Sequence, residues 1–318
     1  MASLSILVDI NPKGDPTLVM EKLQDLAAQQ PITATLLMVD YNSTVASNLL
    51  LHPDGLAHAI DRIKVKNLAM LNDLAGQYQH NNIDYQFESH WHKPYYEKIL
   101  EIADQSQACL IIKQANKHSK LRKMFYSSGD VQLIKSSKYP VLLSKGQALS
   151  AGKCVIAAVD PMHKNSDGCH LDDIIIQQAK DLAALLNLPL KLCHIFDLSG
   201  WDVIMNSAAT AGSMGQFIVI DSPEEHEDMI EKLRENHHAK VIALQKRHQL
   251  KDDQLLLRDG FPIDTLEQLI TEQEAAAIVV GTTYRSGLLG STAEQLLDDI
   301  ECDIVAVKGE GFDSPDNH

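Results

Sequence analysis

Cysteine is scarce in this chain of 318 residues. The five present, Cys109, Cys154, Cys169, Cys193 and Cys302, are scattered and odd in number. None forms a CxxC pair, and three lie inside apolar strand-like runs, so reduced, buried thiols in a cytosolic protein are expected rather than a disulfide scaffold. Long apolar runs are missing as well. None approaches the ~20 residues that a membrane-spanning helix needs. The start, "MASLSILVDI", has no basic residues ahead of its apolar ones, so no signal peptide is expected and a cytoplasmic location is. There is no Gly-x-Ser-x-Gly elbow, and no Ser-His-Asp or Cys-His grouping can be assembled from spacing. Nothing nominates a general acid or base pair, so a catalyst is not expected, beyond weak hydrolysis at most.

A basic excess is also lacking. The chain carries a formal net charge of −15, and the charge is uneven. Residues 1–150 hold 15 Lys and Arg against 14 Asp and Glu, a net of +1; residues 151–318 hold 13 against 29, a net of −16. A broad nucleic-acid surface is therefore not expected in the second half. The local basic run at 113–123 is a solvated loop or an anion site.

What is present is a repeat. "LSILVDI" (4–10) and "KCVIAAVD" (153–160) are both β-branched runs with an aspartate at or near the end. "PYYEKILEIADQSQACLIIK" (94–113) mirrors "PIDTLEQLITEQEAAAIVVG" (262–281) at an offset of 168, and "KYPVLLSK" (138–145) mirrors "ECDIVAVK" (301–308) at an offset of 163. Periodicity predicts strands near 4–10, 33–40, 85–92, 108–113 and 140–145, with helices near 15–29, 53–80, 94–105 and 130–138. In the second half it predicts strands near 153–160, 189–196, 254–259, 276–281 and 302–308, with helices near 170–187, 223–248, 262–273 and 291–300. Short apolar strands alternating with amphipathic helices imply an α/β fold: two tandem doubly wound domains, each a parallel sheet with helices on both faces. The domains run over 1–147 and 152–310, joined by the Gly-containing "KGQALSAGK" (145–153).

The halves differ where sites usually form. The offsets imply a loop after the fourth strand that is five residues shorter in the second half. That half also carries an insertion at 198–221, rich in small and apolar residues. The insertion either lines an apolar pocket or subunit contact or packs as a flap on its own core. Ser222, Pro223 and Glu225 after it form a capping box.

In open parallel sheets ligands sit at the carboxyl ends of the strands. Asp160 and Gly281 both lie at such ends. Asp160 suits a ribose hydroxyl or a base amino group, Gly281 permits close backbone approach, and Ser291 and Thr292 open a helix whose free N–H groups favour an anion. The alternative is local: Ser291 and Glu294 form a capping box, and Gly287 and Gly290 serve a turn. In the first half Asp9 matches Asp160, but Lys113 stands where the alignment puts Gly281, and Ser127 and Ser128 stand for the hydroxyls. His90 and His92 lie two apart on one strand face; a surface pair is the expectation over a metal site. His237 and His238 are expected to be exposed.

Asp9 and Asp160, "IVVGT…GSTAEQLLDDIECDIVAVK" and "WHKPYYEKILEIADQSQACLIIKQANKHSKLRKMFYSS" together resemble the universal stress protein family in its tandem form. The resemblance covers the chain except 198–221. It implies five parallel strands per half in the order 3-2-1-4-5, halves that meet through their last strands as an intramolecular pseudo-dimer, and a stress-response regulatory or binding role. A further homodimer is compatible with it. It implies ATP or AMP with Mg in the second half, at Asp160, Val280, Gly281, Gly290, Ser291 and Thr292. The family's phosphate loop runs glycine, two residues, glycine, nine residues, glycine and Ser or Thr. Here the second glycine position is Tyr284, and five residues, "RSGLL", separate it from Gly290. A loop four residues short has fewer inward-facing N–H groups for a phosphate. The competing expectation is a scaffold that holds an apolar ligand or a partner at 198–221. A nucleotide hydrolase of the related adenine-nucleotide α-hydrolase-like group is the third.

Overall fold

The computed structural model describes residues 3–12, 14–46, 53–114, 128–145, 147–162, 170–197, 223–282, 300 and 302–309. Its first half runs β1 (Leu4–Asp9), α1 (Thr17–Ala27), β2 (Ile32–Asp40), α2 (Ser43–Ala46), α3 (Pro53–Gln77), β3 (Ile83–Trp91), α4 (Tyr95–Gln105), β4 (Leu110–Gln114), α5 (Ser128–Ser136) and β5 (Val141–Ser144). A short 3-10 turn at Leu149–Ala151 leads into β6 (Cys154–Ala158). The second half continues with α6 (Leu171–Leu186), β7 (Leu190–Phe196), α7 (Pro223–Arg247), β8 (Leu255–Asp259), α8 (Pro262–Glu272), β9 (Ala275–Thr282) and β10 (Asp303–Lys308). All ten predicted strands are present. The predicted helix at 291–300 lies outside the described residues, apart from Ile300.

Each half has the expected order: β3-β2-β1-β4-β5, and β8-β7-β6-β9-β10. Within each half every ladder is parallel. The two last strands then pair antiparallel, Leu143 with Ile304, Leu142 with Val305 and Val141 with Ala306. The result is one ten-stranded sheet rather than two separate ones. That pairing gives β5 and β10 backbone partners on both sides and, among the described strands, leaves β3 and β8 as edges.

Two cores cover the sheet. One face packs α1, α3, α6 and α7 over Ile6, Val8, Val155, Ala157, Leu192 and Val305. The other packs α4, α5 and α8 over Leu7, Ile111, Ile156, Ile278 and Ile304. The period-2 alternation of each strand assigns its residues to these faces in turn. The connection at 145–153, expected as a plain linker, is pinned. Leu149 is fully buried, and the Ser150 N–H donates to Asp25 of α1 at 3.0 Å. A buried ion pair joins the halves: Lys22 Nζ of α1 to Asp303 Oδ1 of β10 at 2.8 Å, with side chains 0% and 1% exposed. The Lys145 N–H donates to the same carboxylate oxygen at 2.9 Å. Cys154, Cys193 and Cys302 are buried, as expected, while Cys109 is exposed. Burial pushes the Cys193 and Cys302 thiols up to about 12, which keeps them protonated and unreactive.

Candidate functional site

Each half brings the carboxyl ends of its two central strands side by side, the place where open parallel sheets take ligands. In the first, β1 and β4 run side by side and bring Asp9 beside Lys113. Leu7 and Ile111, two residues earlier, face the second core. Asp9 and Lys113 therefore point toward α4 and α5. There the Lys113 ammonium donates to Asp9 Oδ2 and lies 3.3 Å from Asp130 Oδ1 at the start of α5. It also sits 5.4 Å from the centre of the Tyr95 ring. Tyr95 covers Gly129, where any side chain would collide with its phenol. All three charged side chains are less than 10% exposed. Burial alone would lower the Lys113 ammonium, but Asp9 and Asp130 more than offset it and hold its pKa above the ordinary lysine value. Above this triad a cavity of about 150 Å³ remains, lined by Asp9, Ile10, Asn11, Pro12, Val39, Tyr95 and Lys113. The first crevice is thus filled by its own side chain, as the sequence leads one to expect.

The corresponding strand ends of the second half are built differently. The last paired residues of β6 and β9 are Ala158 and Val280. Ile156 and Ile278 face the second core, so Ala158 and Val280 occupy the face that Asp9 and Lys113 occupy in the first half. The counterpart of Lys113 is therefore Val280 rather than Gly281. A one-residue slip in a sequence alignment turns a strand residue to the opposite face, which is how the two were exchanged. Gly281 faces the other way. A side chain there would meet Leu171 Cδ2 at 2.7 Å and Ile175 Cδ1 at 3.0 Å. Its small size lets the first turn of α6 lie close on β9.

Asp160 lies beyond the end of β6 and is exposed. Its N–H donates to Asp172 Oδ1 at 3.1 Å, and its own carboxylate accepts the Met162 N–H at 3.3 Å. The structure thus places Asp160, Val280 and Gly281 around the carboxyl ends of β6 and β9. Gly290, Ser291 and Thr292, together with Tyr284, lie outside the described residues, as do the insertion 198–221, Ser127 and Ser222.

Sequence spacing misses two features here. His194 of β7 is 2% exposed. Its Nδ1 lies 3.0 Å from the Val159 carbonyl and its Nε2 lies 2.8 Å from Nδ1 of His237 on α7. The expectation that His237 is simply exposed is corrected: it is half-buried, and its ring stacks on His194 and on Phe196 at centroid distances of 5.1 and 4.8 Å. The signal was present as a lone histidine in an apolar strand, "LKLCHIF", but nothing local names a partner 43 residues away. Burial lowers the pKa of both rings. Asp160 opposes the shift in each; for His237 the neighbouring His194 and Lys240 reinforce it. The second feature is Asp173 near the start of α6, which accepts from His248 at 2.7 Å and from Arg247 at 2.9 Å. It ties the end of α7 to the first turn of α6. His90 and His92 behave as the expected surface pair, bonded to Glu88 at 2.9 Å and Glu97 at 3.4 Å. Among the described residues no three or more His, Cys, Asp or Glu side chains are grouped to hold a metal ion.

The universal stress protein family model matches residues 166–308. Universal stress protein E of Photorhabdus laumondii is 24% identical over 316 residues, spanning 98% of this chain and 96% of that protein. Universal stress protein E of Escherichia coli K12 is 21% identical over 318 residues, with the same coverage. In three dimensions the chain is similar to a putative universal stress protein from Pseudomonas aeruginosa UCBPP-PA14, with a TM-score of 0.69, 22% identity, and coverage of 97% of this chain and 94% of that one. It is also similar to a universal stress protein from Archaeoglobus fulgidus, with a TM-score of 0.63, 16% identity, and coverage of 97% and 99%. No helix among the described residues is long and apolar enough to cross a membrane.

Proposed function

We propose that the chain, matched in its second half by the universal stress protein family model and along its whole length by tandem-sized relatives, is a stress-response binding protein of that tandem type that takes ATP or AMP in the second half only. One observation carries this reading: where the first half holds the buried Lys113–Asp9 ion pair at its strand ends, the second holds Ala158 and Val280. An apolar floor of that kind suits the flat face of a base. Asp160 is exposed just beyond β6, and its carboxylate would suit a ribose or amino group. Gly290, Ser291 and Thr292 would supply N–H and hydroxyl donors to phosphate, with Mg neutralising its charge. The reading is binding in the cytoplasm, not turnover.

The experiment is a thermal-shift titration of the full chain with ATP and AMP, with and without Mg. A ligand at a hundredfold excess over its Kd adds about 2.7 kcal/mol to stability, seen as a rise of a few degrees in Tm. Asp160→Ala should abolish most of the shift. Gly281 is unsuitable as the test position, because any side chain there collides with Leu171 whether or not a ligand binds. No shift at millimolar nucleotide sinks the reading, and steady ATP turnover abolished by Asp160→Ala would replace it with an enzyme.

A further inference from the structure

The helix α7 spans Pro223–Arg247, and among the described side chains its buried anchors lie in its later half. Where side chains are described, positions 227–236 are exposed or only half-covered. Val241, Leu244 and Gln245 are buried farther along, and His248 and Arg247 fasten its end to Asp173. Arg234 reaches Asp259 of β8 only in a long, exposed ion pair at 3.8 Å, and the first side chain along the helix within hydrogen-bond distance of a strand residue, among the described residues, is His237, through the 2.8 Å bond to His194.

The bonding pattern fixes the protons. His194 Nδ1 faces a carbonyl oxygen, so it carries its hydrogen and donates to Val159. His194 Nε2 is then the bare nitrogen, and it accepts from the Nδ1–H of His237. A proton added at His194 Nε2 would point at that N–H across 2.8 Å and cancel the bond. The pair thus resists full protonation while closed. Once α7 lifts away, both rings reach water and take up protons freely near the ordinary histidine value of about 6.5.

We propose that the His194–His237 pair is a proton-sensitive latch that holds the first half of α7 over the carboxyl end of β7 at neutral pH and releases it in acid. The charged groups facing it are Asp160 from the loop after β6 and Lys240 on α7, whose Nζ also donates to the Pro161 carbonyl at 3.4 Å. Arg234, one turn earlier on α7, reaches Asp259 at the end of β8 at 3.8 Å. Asp160 partly favours the protonated rings and Lys240 opposes them, so neither replaces the bond between the two imidazoles. Both rings have folded-state values below their open-state values. Closure is therefore favoured fully above about pH 6.5 and weakens as pH falls from there toward the folded values. Release uncovers Phe196 and His194 beside Asp160. The inference stands apart from nucleotide binding, because it concerns the helix and not the ligand.

The test is hydrogen–deuterium exchange of the full chain without ligand at pH 7.5 and pH 5.0, with intrinsic rates corrected. Helix α1, which has no histidine, is the internal control. The expected result is at least about a tenfold loss of protection over 227–240 at pH 5.0 relative to α1, one pKa unit being a factor of ten. His237→Phe keeps a ring against Phe196 and removes one of the two titrating rings and the bond between them, so it should shrink the acid response severalfold. Should that variant fold poorly, His237→Gln serves the same purpose. Equal protection of wild-type α7 at both pH values overturns the latch, and so does an acid response in the His237 variants as large as that of the wild type.

Discussion

Replacing Lys113 by methionine keeps most of the apolar stem and deletes the ammonium, leaving Asp9 and Asp130 facing each other in the first crevice. Breaking a buried ion pair from one side costs about 3–5 kcal/mol. The triple variant Lys113→Met, Asp9→Asn, Asp130→Asn should regain much of that loss, since no uncompensated charge stays behind. Chemical denaturation of the two variants checks both statements. The residues of this site were only partly legible. Lys113 at the end of an apolar run marked the first half as different, and Asp9 was recognisable at the close of its strand. Asp130 was not, because it reaches the lysine from a helix 17 positions further along the chain, a separation that no spacing rule relates. The exchange of Val280 with Gly281 has the same origin: strand ends can be aligned by composition, but which face a residue takes depends on register.

At the level of elements, the close seat of α6 on β9 depends on Gly281. A methyl group there meets the Leu171 side chain at 2.7 Å and the Ile175 side chain at 3.0 Å. Gly281→Ala should therefore destabilise the fold by about 1–3 kcal/mol, the usual range for overpacking. Adding Leu171→Ala should make the glycine replacement far less costly, and a thermal-unfolding double-mutant cycle measures that coupling. If the alanine is tolerated alone, close approach is not what the glycine provides. The helices and strands themselves were plain in the sequence because their apolar periods of 2 and 3.6 are local properties. The anchoring of α7 was not. His237, Arg247 and His248 all find partners on elements 43 or more residues away, and a helix with so polar a sequence gives no hint which of its residues face inward.

Across the described residues the halves are joined by the antiparallel β5–β10 ladder and by an ion pair sealed from water, among other contacts. Lys22→Met leaves the Asp303 carboxylate buried with the Lys145 N–H still bonded to it, and should cost about 3–5 kcal/mol. Asp303→Asn combined with Lys22→Met should restore most of it, read by the midpoint of denaturant unfolding. An equal loss in single and double variants would show that packing, not charge, holds the seam. The repeat and the strand order could be read from the duplicated segments. The fusion into one sheet entered only through the family resemblance, since nothing in "KYPVLLSK" or "ECDIVAVK" states that each strand's free edge is reserved for the other. Tethering the copies in one chain has a consequence for behaviour at low abundance. A pair of separate subunits comes apart on dilution, whereas here the second copy is supplied at a fixed high effective concentration by the connecting segment. Each copy can therefore serve as a permanent neighbour to the other, and the paired state should persist from the first molecule synthesised, however few a cell contains.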